Sequence, residues 1–409
     1  MRILHTADWH LGQTLNGWSR EAEHRAFFDA LCDILMAEQV DVLLVAGDVF
    51  DGINPSGETQ ALLYSSLARF LRARPGLQIV MIAGNHDPAQ RLEAPEAVLR
   101  GLGVHLVGTL HRKDGVVDMD RHLIALNGPD GTPAAHVLAI PFLRQADLPG
   151  LTLGLTLGGD DSTEPAIVAA ARRLHTQMTQ AAVARSGGLP LMALGHLTCA
   201  GGLESEGAER RILIGGAHAV PPDIFPPALD YVALGHLHRP QSLEGGRVRY
   251  AGSPFPLSAA EITYHHGVTL LDLAQGLVPR HVPLPRAVPV LRLPATGAAA
   301  LPQIEAALTA LDPDPGTAAD AQAFVYLHLS ADRPATALLA DAEALLARYP
   351  VRLAGLSIAR VQAAAHLPPP PSLADTSPEE LFIAAYRDTH QLEPDSRHIA
   401  AFRDIFSEV

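Results

Sequence analysis

The sequence predicts an α/β protein with a partly parallel sheet, followed by a small α+β domain and a C-terminal pair of helices. Strand-like and helix-like segments alternate over the first part of the chain, which is typical of βαβ units. Several apolar runs, such as residues 79–82, have no polar alternation, as expected for parallel strands buried on both faces. These runs end in Asp, Asn or His, at the sheet edge where α/β proteins keep their functional groups.

The first domain begins with predicted strands that are joined by helices. In chain order we predict a strand at residues 2–7, a helix at 20–38, a strand at 40–46, a helix at 57–73 and a strand at 78–82. Phe27, Leu31, Ile34 and Leu35 recur at helical spacing, which supports the first helix. The repeated βαβ order predicts that these strands pair in parallel.

The remainder of this domain has a less regular pattern. Short alternating runs over residues 104–142 predict β-hairpins, and residues 166–186 predict a helix. Strands follow at residues 189–194 and 231–234. Residues 247–250 and 267–273 predict two more strands, which we expect to be antiparallel. The proline-rich stretch after them predicts the end of the domain near residue 280.

A second, smaller domain and a tail follow. Strands at residues 288–293, 324–329 and 351–358 alternate with helices at 301–311 and 335–349. Four prolines at 368–371 predict a stiff spacer, and Ser377 as N-cap with Pro378 and Glu380 predicts a helix start. The two tail helices have apolar faces formed by Leu381, Phe382, Ala385 and Tyr386, and by Ile399, Phe402, Ile405 and Phe406. The predicted boundaries are 1–280, 281–365, 366–378 for the linker and 379–409 for the helix pair.

Composition restricts the class of protein and of site. With 409 residues and 48% hydrophobic content the chain can build more than one domain core. No apolar run approaches the length of a membrane span, and the first strand starts too early for a cleavable signal, so we expect a cytoplasmic protein. Cys32 and Cys199 are too few for a disulfide framework or a thiolate metal site. The net charge of -14 argues against binding a polyanion by overall charge, but leaves open a local arginine-lined groove.

The polar residues at the strand ends form a candidate metal-binding set. Its members are Asp8, His10, Asp48, Asn85, His196, His236 and His238. Asp8 and His10 are two residues apart, so on an extended chain they point to the same side, and Asp48 can bridge two ions as a carboxylate. Such an oxygen and nitrogen set fits two divalent ions roughly 3.5 to 4 Å apart, and suits Mn, Fe or Zn better than Mg or Ca.

Three neighbouring residues are predicted to assist this set. His86 is adjacent to a ligand and faces another direction, so we predict that it donates a proton or hydrogen bond to a phosphate or leaving oxygen. Asp51 and Asp87 are predicted to orient imidazoles or water from outside the ligand set. The alternatives are that His86 has a purely structural hydrogen bond and that the two carboxylates cap the helices that follow.

The spacing of these residues resembles a known family. Asp8-x-His10, Gly47-Asp48-x-x-Asp51, Gly84-Asn85-His86-Asp87, Gly195-His196 and Gly235-His236-x-His238 match the motifs of the calcineurin-like metallophosphoesterases in type and order. The resemblance implies a β-sandwich flanked by helices and two-metal hydrolysis of a phosphoester.

A narrower resemblance covers nearly the whole chain. Residues 5–12, 46–51, 231–241 and 251–254, Glu204-Ser205-Glu206 with Arg210, and the tail from Ser377 look like the D subunits of bacterial SbcCD nucleases. This implies a manganese-dependent nuclease with 3′ to 5′ double-strand exonuclease and single-strand or hairpin endonuclease activity, acting in DNA end processing, recombination, replication and repair. It also implies a capping domain, and tail helices that bind an SbcC-type coiled-coil ATPase, with a homodimer inside a heterotetramer. One departure is His265-His266, where the family suggests a lysine.

Two other functions stay open at this point. One is a phosphoesterase for a small or protein substrate on the same fold, although such an enzyme needs neither a cap nor a tethered helix pair. The other is a scaffold protein with a structural metal site, although a scaffold has no use for His86. Turnover of a phosphodiester distinguishes the enzymes from the scaffold.

Overall fold

The strands form five sheets in the computed structural model, which describes residues 1–128, 130–148, 165–204, 219–359, 378–390 and 394–407. In chain order they are β1 (Arg2–Thr6), β2 (Thr14–Leu15), β3 (Trp18–Ser19), β4 (Val42–Ala46), β5 (Gln78–Ile82), β6 (Val104–Val107), β7 (Arg112–Lys113), β8 (Val116–Val117), β9 (Leu123–Asn127), β10 (Pro133–Ala139), β11 (Leu191–His196), β12 (Tyr231–Gly235), β13 (Gln241–Leu243), β14 (Val248–Tyr250), β15 (Gly267–Asp272), β16 (Arg280–Pro283), β17 (Val290–Leu293), β18 (Ala323–Leu329) and β19 (Val351–Ile358).

The helices lie mainly on the outer faces of these sheets. They are α1 (Glu21–Ala37), α2 (Gly57–Ala73), α3 (Ala89–Glu93), α4 (Glu96–Leu99), α5 (Met119–His122), α6 (Ala166–Arg185), α7 (Leu301–Leu311), α8 (Ala335–Leu346), α9 (Pro378–His390) and α10 (Ser396–Ser407). Within the described ranges, none of them combines the length and the apolar composition that crossing a bilayer requires.

Two six-stranded sheets face each other and enclose an apolar core within residues 1–359. Their strand orders are β16-β15-β1-β4-β5-β6 and β13-β14-β12-β11-β10-β9. Every residue of β4 is buried, and Val42, Leu44 and Ala46 point to the inner core while Leu43 and Val45 point outward. Helices α1 and α2 cover the outer face of the first sheet, and α6 covers that of the second. The result is the helix-flanked β-sandwich that the family resemblance implied, of the α/β class that the sequence predicted.

The strand pairings confirm part of the prediction and correct part of it. Strands β1, β4 and β5 are parallel, as the βαβ order predicted, and so are β11 and β12. The prediction of hairpins over residues 104–142 is wrong for β6, which extends the first sheet in parallel to β5, and right for β7-β8 and β9-β10. The strand predicted to be antiparallel at residues 247–250 is β14. It is parallel to β12 and antiparallel only to β13, because β13 and β14 form a short hairpin at the sheet edge.

A third sheet forms a smaller module at residues 288–359. Strands β17, β18 and β19 are parallel, and α7 and α8 bury Ile304, Leu308 and Leu338 against one face of the sheet. The predicted strands and helices are all present, and this module packs with the sandwich in one compact unit that ends at residue 359. The boundaries at 280 and 365 stay predictions.

A buried aromatic side chain joins this module to the sandwich. Phe324 on β18 has no exposed surface, and the Arg352 guanidinium lies 3.8 Å from its ring centroid. On the sandwich side, Arg20 lies 5.7 Å from the same ring and makes two hydrogen bonds, of 2.7 and 2.6 Å, with the buried Glu23 carboxylate. The Arg20–Glu23 pair therefore satisfies a buried charge while it presents a cation to the ring.

The tail helices α9 and α10 belong to a separate unit, residues 360–409. Within it, Phe382 and Phe402 stack with ring centroids 4.6 Å apart, and Arg403 pairs with Glu379 at 2.6 Å. The predicted amphipathic faces therefore meet each other at this pair. The proline spacer at 368–371 and the Ser377 N-cap lie outside the described residues.

Truncation of Phe324 to Ala is expected to destabilise the protein by about 3 to 5 kcal/mol, because it removes a fully buried ring between two guanidinium groups. The urea dependence of tryptophan fluorescence measures this change. Leu339, 42% exposed on α8, provides the matched control, and Leu339→Ala should stay within about 0.5 kcal/mol of wild type. Equal stabilities of the two variants would contradict the assigned contact.

Candidate metal centre

The polar ends of five strands meet at one edge of the sandwich. β1, β4 and β5 of the first sheet and β11 and β12 of the second bring together the seven predicted ligands and His86. Among these residues only Asn85 and His86 are partly exposed, and the others are buried: Asp8, His10, Asp48, His196, His236 and His238. The set is assembled because the carboxyl ends of parallel strands lie at the same edge of the sandwich, as the sequence predicted.

The backbone at these positions is turned rather than extended. Asp8, His10, Asp48 and His236 have φ angles of 55°, 46°, 48° and 96°, in the left-handed region that few residues other than glycine adopt. The expectation that Asp8 and His10 share a side because the chain is extended is therefore wrong. They converge because the chain turns tightly after β1, and clusters of such strained residues are typical of functional sites.

Glycines at the strand ends let the two sheets approach closely. A Cβ atom on Gly47 would lie 2.3 Å from His196 Nδ1, and one on Gly84 would lie 2.2 Å from Asp48 Oδ1. On the second sheet, a Cβ atom on Gly235 would lie 2.0 Å from the Ala46 carbonyl oxygen. Any side chain at these positions would push the ligand-bearing loops apart.

The first cluster contains Asp8, His10 and His238, whose ligand atoms lie within 4.8 Å of one another. Asp8 Oδ1 accepts a hydrogen bond of 2.8 Å from the His236 backbone N–H, while Asp8 Oδ2 is buried without a partner among the described residues. In the same described part of the chain, His10 Nε2 is buried without a hydrogen-bond partner and lies 3.6 Å from Asp48 Oδ2. A buried carboxylate oxygen and a buried imidazole nitrogen of this kind fit a bound cation.

The second cluster contains Asp48, His196 and His236, with Asn85 between them. His196 Nδ1 donates to the Ala46 carbonyl at 2.8 Å, so in the neutral ring the lone pair is on Nε2. That nitrogen lies 2.9 Å from Asn85 Oδ1 and 3.3 Å from Asp48 Oδ2. Three acceptor atoms this close to each other need either a proton on His196 or a cation among them.

The ionisable groups of this centre have shifted pKa values. Burial disfavours the His196 imidazolium, but the Asp48 carboxylate outweighs it and raises the pKa of His196 to about 9. Burial and the nearby His196 charge lower the pKa of His236 to about 3. Burial also raises the pKa of Asp8 above its usual value. A cation that binds here would therefore have to displace the His196 proton.

His86 lies at the exposed side of the centre. Its backbone N–H donates to Asp48 Oδ1 at 2.9 Å, and its Nδ1–H donates to the Asp51 carbonyl at 2.9 Å, so the lone pair of the neutral ring is on Nε2. A ring nitrogen of His86 lies within 4.8 Å of ligand atoms of His10 and Asp48. The structure therefore brings His86 close enough to the ligands for either a proton-transfer role or direct coordination.

The two predicted orienting carboxylates have different surroundings. Asp51 Oδ1 accepts from His10 Nδ1 at 3.1 Å, which fixes the orientation of that ring. Asp87 accepts three backbone N–H groups, those of Val49, Phe50 and Gly84, at 3.1, 2.7 and 2.8 Å. Burial, with the Asp48 charge, raises the pKa of Asp87 to about 6. Asp87 thus links the loops that follow β4 and β5. Its side chain has no hydrogen bond to an imidazole among the described residues.

Sequence reasoning missed Glu261. This carboxylate is fully buried and accepts from His238 Nδ1 at 3.0 Å and from the Leu257 backbone N–H at 2.9 Å. Although burial opposes it, the bond to His238 keeps the pKa of Glu261 below its usual value. Carboxylate–histidine pairs of this kind orient imidazole ligands at metal centres. Glu261 follows Ser258 in a short turn rather than a strand, so the pattern that located the ligands could not locate it.

Comparison with known proteins agrees with this architecture. The calcineurin-like phosphoesterase family matches residues 1–240, and the type 5 capsule protein repressor C-terminal domain family matches residues 286–390. The D subunit of nuclease SbcCD from Rhodobacter capsulatus is 65% identical over 387 residues, which is 94% of this chain and 94% of that protein. The D subunits of the same nuclease from Escherichia coli K12 and Bacillus subtilis 168 are 38% and 36% identical, over 68% of this chain and 66% and 67% of theirs.

The phosphoesterase family match spans more than half of the chain, and the Rhodobacter relative aligns with nearly all of it. On these matches and on the sandwich described above, the chain belongs to the family of SbcCD nuclease D subunits, within the calcineurin-like phosphoesterases.

Proposed function

We propose that the chain is the nuclease subunit of a DNA end-processing complex and hydrolyses phosphodiesters with two divalent metal ions. The convergence of unpartnered buried acceptors at Asp8 and His10, next to the acceptor cluster around Asn85, is the observation that carries the proposal. Membership of a nuclease family supports the reaction class. The direction of attack, 3′ to 5′ on duplex ends with endonucleolytic cleavage of single strands and hairpins, is proposed from the family resemblance.

The two clusters suggest how the ligands are shared. We infer that Asp8, His10 and His238 hold one ion, that Asn85, His196 and His236 hold the other, and that Asp48 belongs to both sets. Divalent ions in such a site activate water and stabilise negative charge on a phosphate. The mixture of carboxylate, amide and imidazole donors suits Mn, Fe or Zn, and Mn²⁺ is proposed among these from the family resemblance.

Other side chains and one backbone carbonyl orient the ligand imidazoles, and His86 is proposed to protonate the leaving oxygen. Asp51, Glu261 and the Ala46 carbonyl each accept from a ligand imidazole and fix its orientation. His86 is proposed as the group that donates a proton or a hydrogen bond to the leaving oxygen, because it lies at the exposed side of the ligands. In the protonated ring, Nδ1–H donates to the Asp51 carbonyl and Nε2–H carries the proton for that transfer.

The remaining parts of the chain support a nuclease that acts with a partner. The module at residues 288–359 packs on the sandwich through Phe324 and is proposed as the capping domain. Helices α9 and α10 are proposed to bind an SbcC-type coiled-coil ATPase, in a heterotetramer that contains two copies of this chain. A cytoplasmic location is proposed because Cys32 and Cys199 are both buried thiols.

Replacement of Asp48 by Asn is expected to lower Mn²⁺-dependent cleavage of end-labelled duplex and hairpin DNA by more than about 100-fold. Mutation of a residue that only hydrogen-bonds to a metal ligand already lowers activity or metal affinity by about 10- to 100-fold, and Asp48 is predicted to bind metal directly. Metal content after dialysis should fall with it. Asp33→Asn, on the exposed face of α1, is the matched control and should cleave like wild type. Wild-type DNA cleavage by Asp48→Asn would contradict the proposal, whereas hydrolysis of bis-p-nitrophenyl phosphate alone would favour the small-substrate phosphoesterase.

His86→Ala is expected to keep both metal ions and lose about 10²- to 10⁴-fold in kcat, because it removes a proton donor and leaves the ligand set in place. Mn²⁺ stoichiometry and single-turnover cleavage measure the two effects separately. Loss of one ion along with activity would show instead that His86 is a ligand.

The stability of the metal-free protein should decrease between pH 6.5 and 9. The folded-state pKa of His196, about 9, lies above its ordinary value of 6.5, so proton-linked stability is complete below pH 6.5 and is lost as the pH rises through 9. The loss is on the order of 3 kcal/mol. Urea unfolding in EDTA measures it, and saturating Mn²⁺ should abolish the decrease because metal replaces the proton. Identical pH profiles with and without Mn²⁺ would argue against His196 as a ligand.

A further inference from the structure

A cationic cavity lies where the edge strands of the two large sheets meet. Its volume is about 330 Å³, and its polar lining includes two arginines, two histidines and a tyrosine: Arg239, Arg249, His265, His281 and Tyr264. Among the described residues that line it there is no carboxylate, although the chain as a whole carries a net charge of -14. The cavity therefore has a charge opposite to that of the whole protein.

Hydroxyl groups, rather than carboxylates, hold Arg249 in place. Its Nε donates to Thr269 Oγ1 at 2.8 Å and its Nη1 donates to Ser242 Oγ at 2.7 Å. These bonds fix the guanidinium without neutralising it, and a guanidinium has five N–H donors in all. Arg249 is thus a positioned cation with donors left for an anion.

Arg239 provides a second cation at the mouth of the cavity. Its guanidinium lies over the Tyr264 ring, 5.4 Å from the centroid, and the side chain is exposed. Across the part of the chain that the structure describes, neither Arg239 nor Arg249 has a carboxylate within ion-pair distance. Guanidinium groups stacked and unpaired in this way are typical of phosphate recognition.

His281 lines the same cavity. Both of its ring nitrogens are buried and have no hydrogen-bond partner among the described residues. Burial, and after it the charges of Arg249 and His265, lower the pKa of His281, so the ring is neutral and has one N–H to donate. A buried N–H without an acceptor is costly, and an anion in the cavity would accept it.

We propose that this cavity binds a backbone phosphate of the nucleic acid, on the cleaved strand and close to the phosphate that is cleaved. This inference rests on the proposed function. Arg239, Arg249 and His281 supply the donors, and His265 faces the same space from the following turn. Arg239 directly follows His238 of the metal centre, so their Cα atoms are about 3.8 Å apart. The cavity therefore adjoins the loop that carries a predicted metal ligand.

The test measures strand binding in the absence of metal and cleavage in its presence, on the full chain. In EDTA, the affinity for a fluorescein-labelled single strand, followed by anisotropy over a range of salt concentrations, should fall about tenfold in Arg239→Ala. The slope of log affinity against log salt should decrease by about 0.7. His265→Ala provides a second variant. Arg72→Ala, an exposed arginine in the last turn of α2 without an ion pair among the described residues, is the matched control and should bind like wild type.

Each outcome has a distinct meaning. With Mn²⁺, the loss in DNA cleavage by Arg239→Ala should exceed its loss on bis-p-nitrophenyl phosphate by about tenfold, since the small diester does not reach the cavity. Wild-type strand binding by both variants would overturn the subsite while leaving the nuclease intact. A thermal shift with inorganic phosphate that Arg239→Ala abolishes, without an effect on strand binding, would assign the cavity to free phosphate and also overturn it. A wild-type protein that neither binds nor cuts DNA would refute the proposed function itself.

Discussion

The structure depends on acceptor atoms that crowd together at one edge of the sandwich. Asp8 Oδ2 and His10 Nε2 are buried and have no hydrogen-bond partner within the described ranges. His196 Nε2 lies 2.9 Å from Asn85 Oδ1 and 3.3 Å from Asp48 Oδ2. Removing such groups from water is costly unless a cation balances them. The glycines at the strand ends allow this close approach, because a side chain at any of these positions would collide with a residue of the centre or of a neighbouring strand.

The sequence predicted which polar side chains converge, because each follows a strand that is apolar throughout. An Asp, Asn or His at the end of such a strand has few structural reasons to be there, and parallel pairing brings these ends to one edge. The predictions failed where tertiary contacts determine the backbone conformation, the strand pairing or the hydrogen-bond partner. The left-handed turns at Asp8 and His10, the parallel pairing of β6 and the His238–Glu261 bond all depend on neighbours distant in the sequence. No local pattern at Glu261 or Phe324 indicates what these side chains contact.

One short segment connects the metal centre, the module at residues 288–359 and the cationic cavity. Glu261 orients His238, and Ala259 lines a cavity together with Tyr326 of the module. Tyr264 and His265, a few residues later, line the cationic cavity. A displacement of residues 258–265 would therefore change the orientation of His238 and the proposed phosphate contacts together.

The most direct test of the account is the electron paramagnetic resonance spectrum of the metal-free protein titrated with Mn²⁺. If the unpartnered acceptors form one shared centre, two ions bind per chain and give the multi-line spectrum of a spin-coupled pair, as expected for ions about 3.5 to 4 Å apart. Uptake of a single isolated ion, or none at all, would contradict the claim that these buried side chains exist to hold two metals.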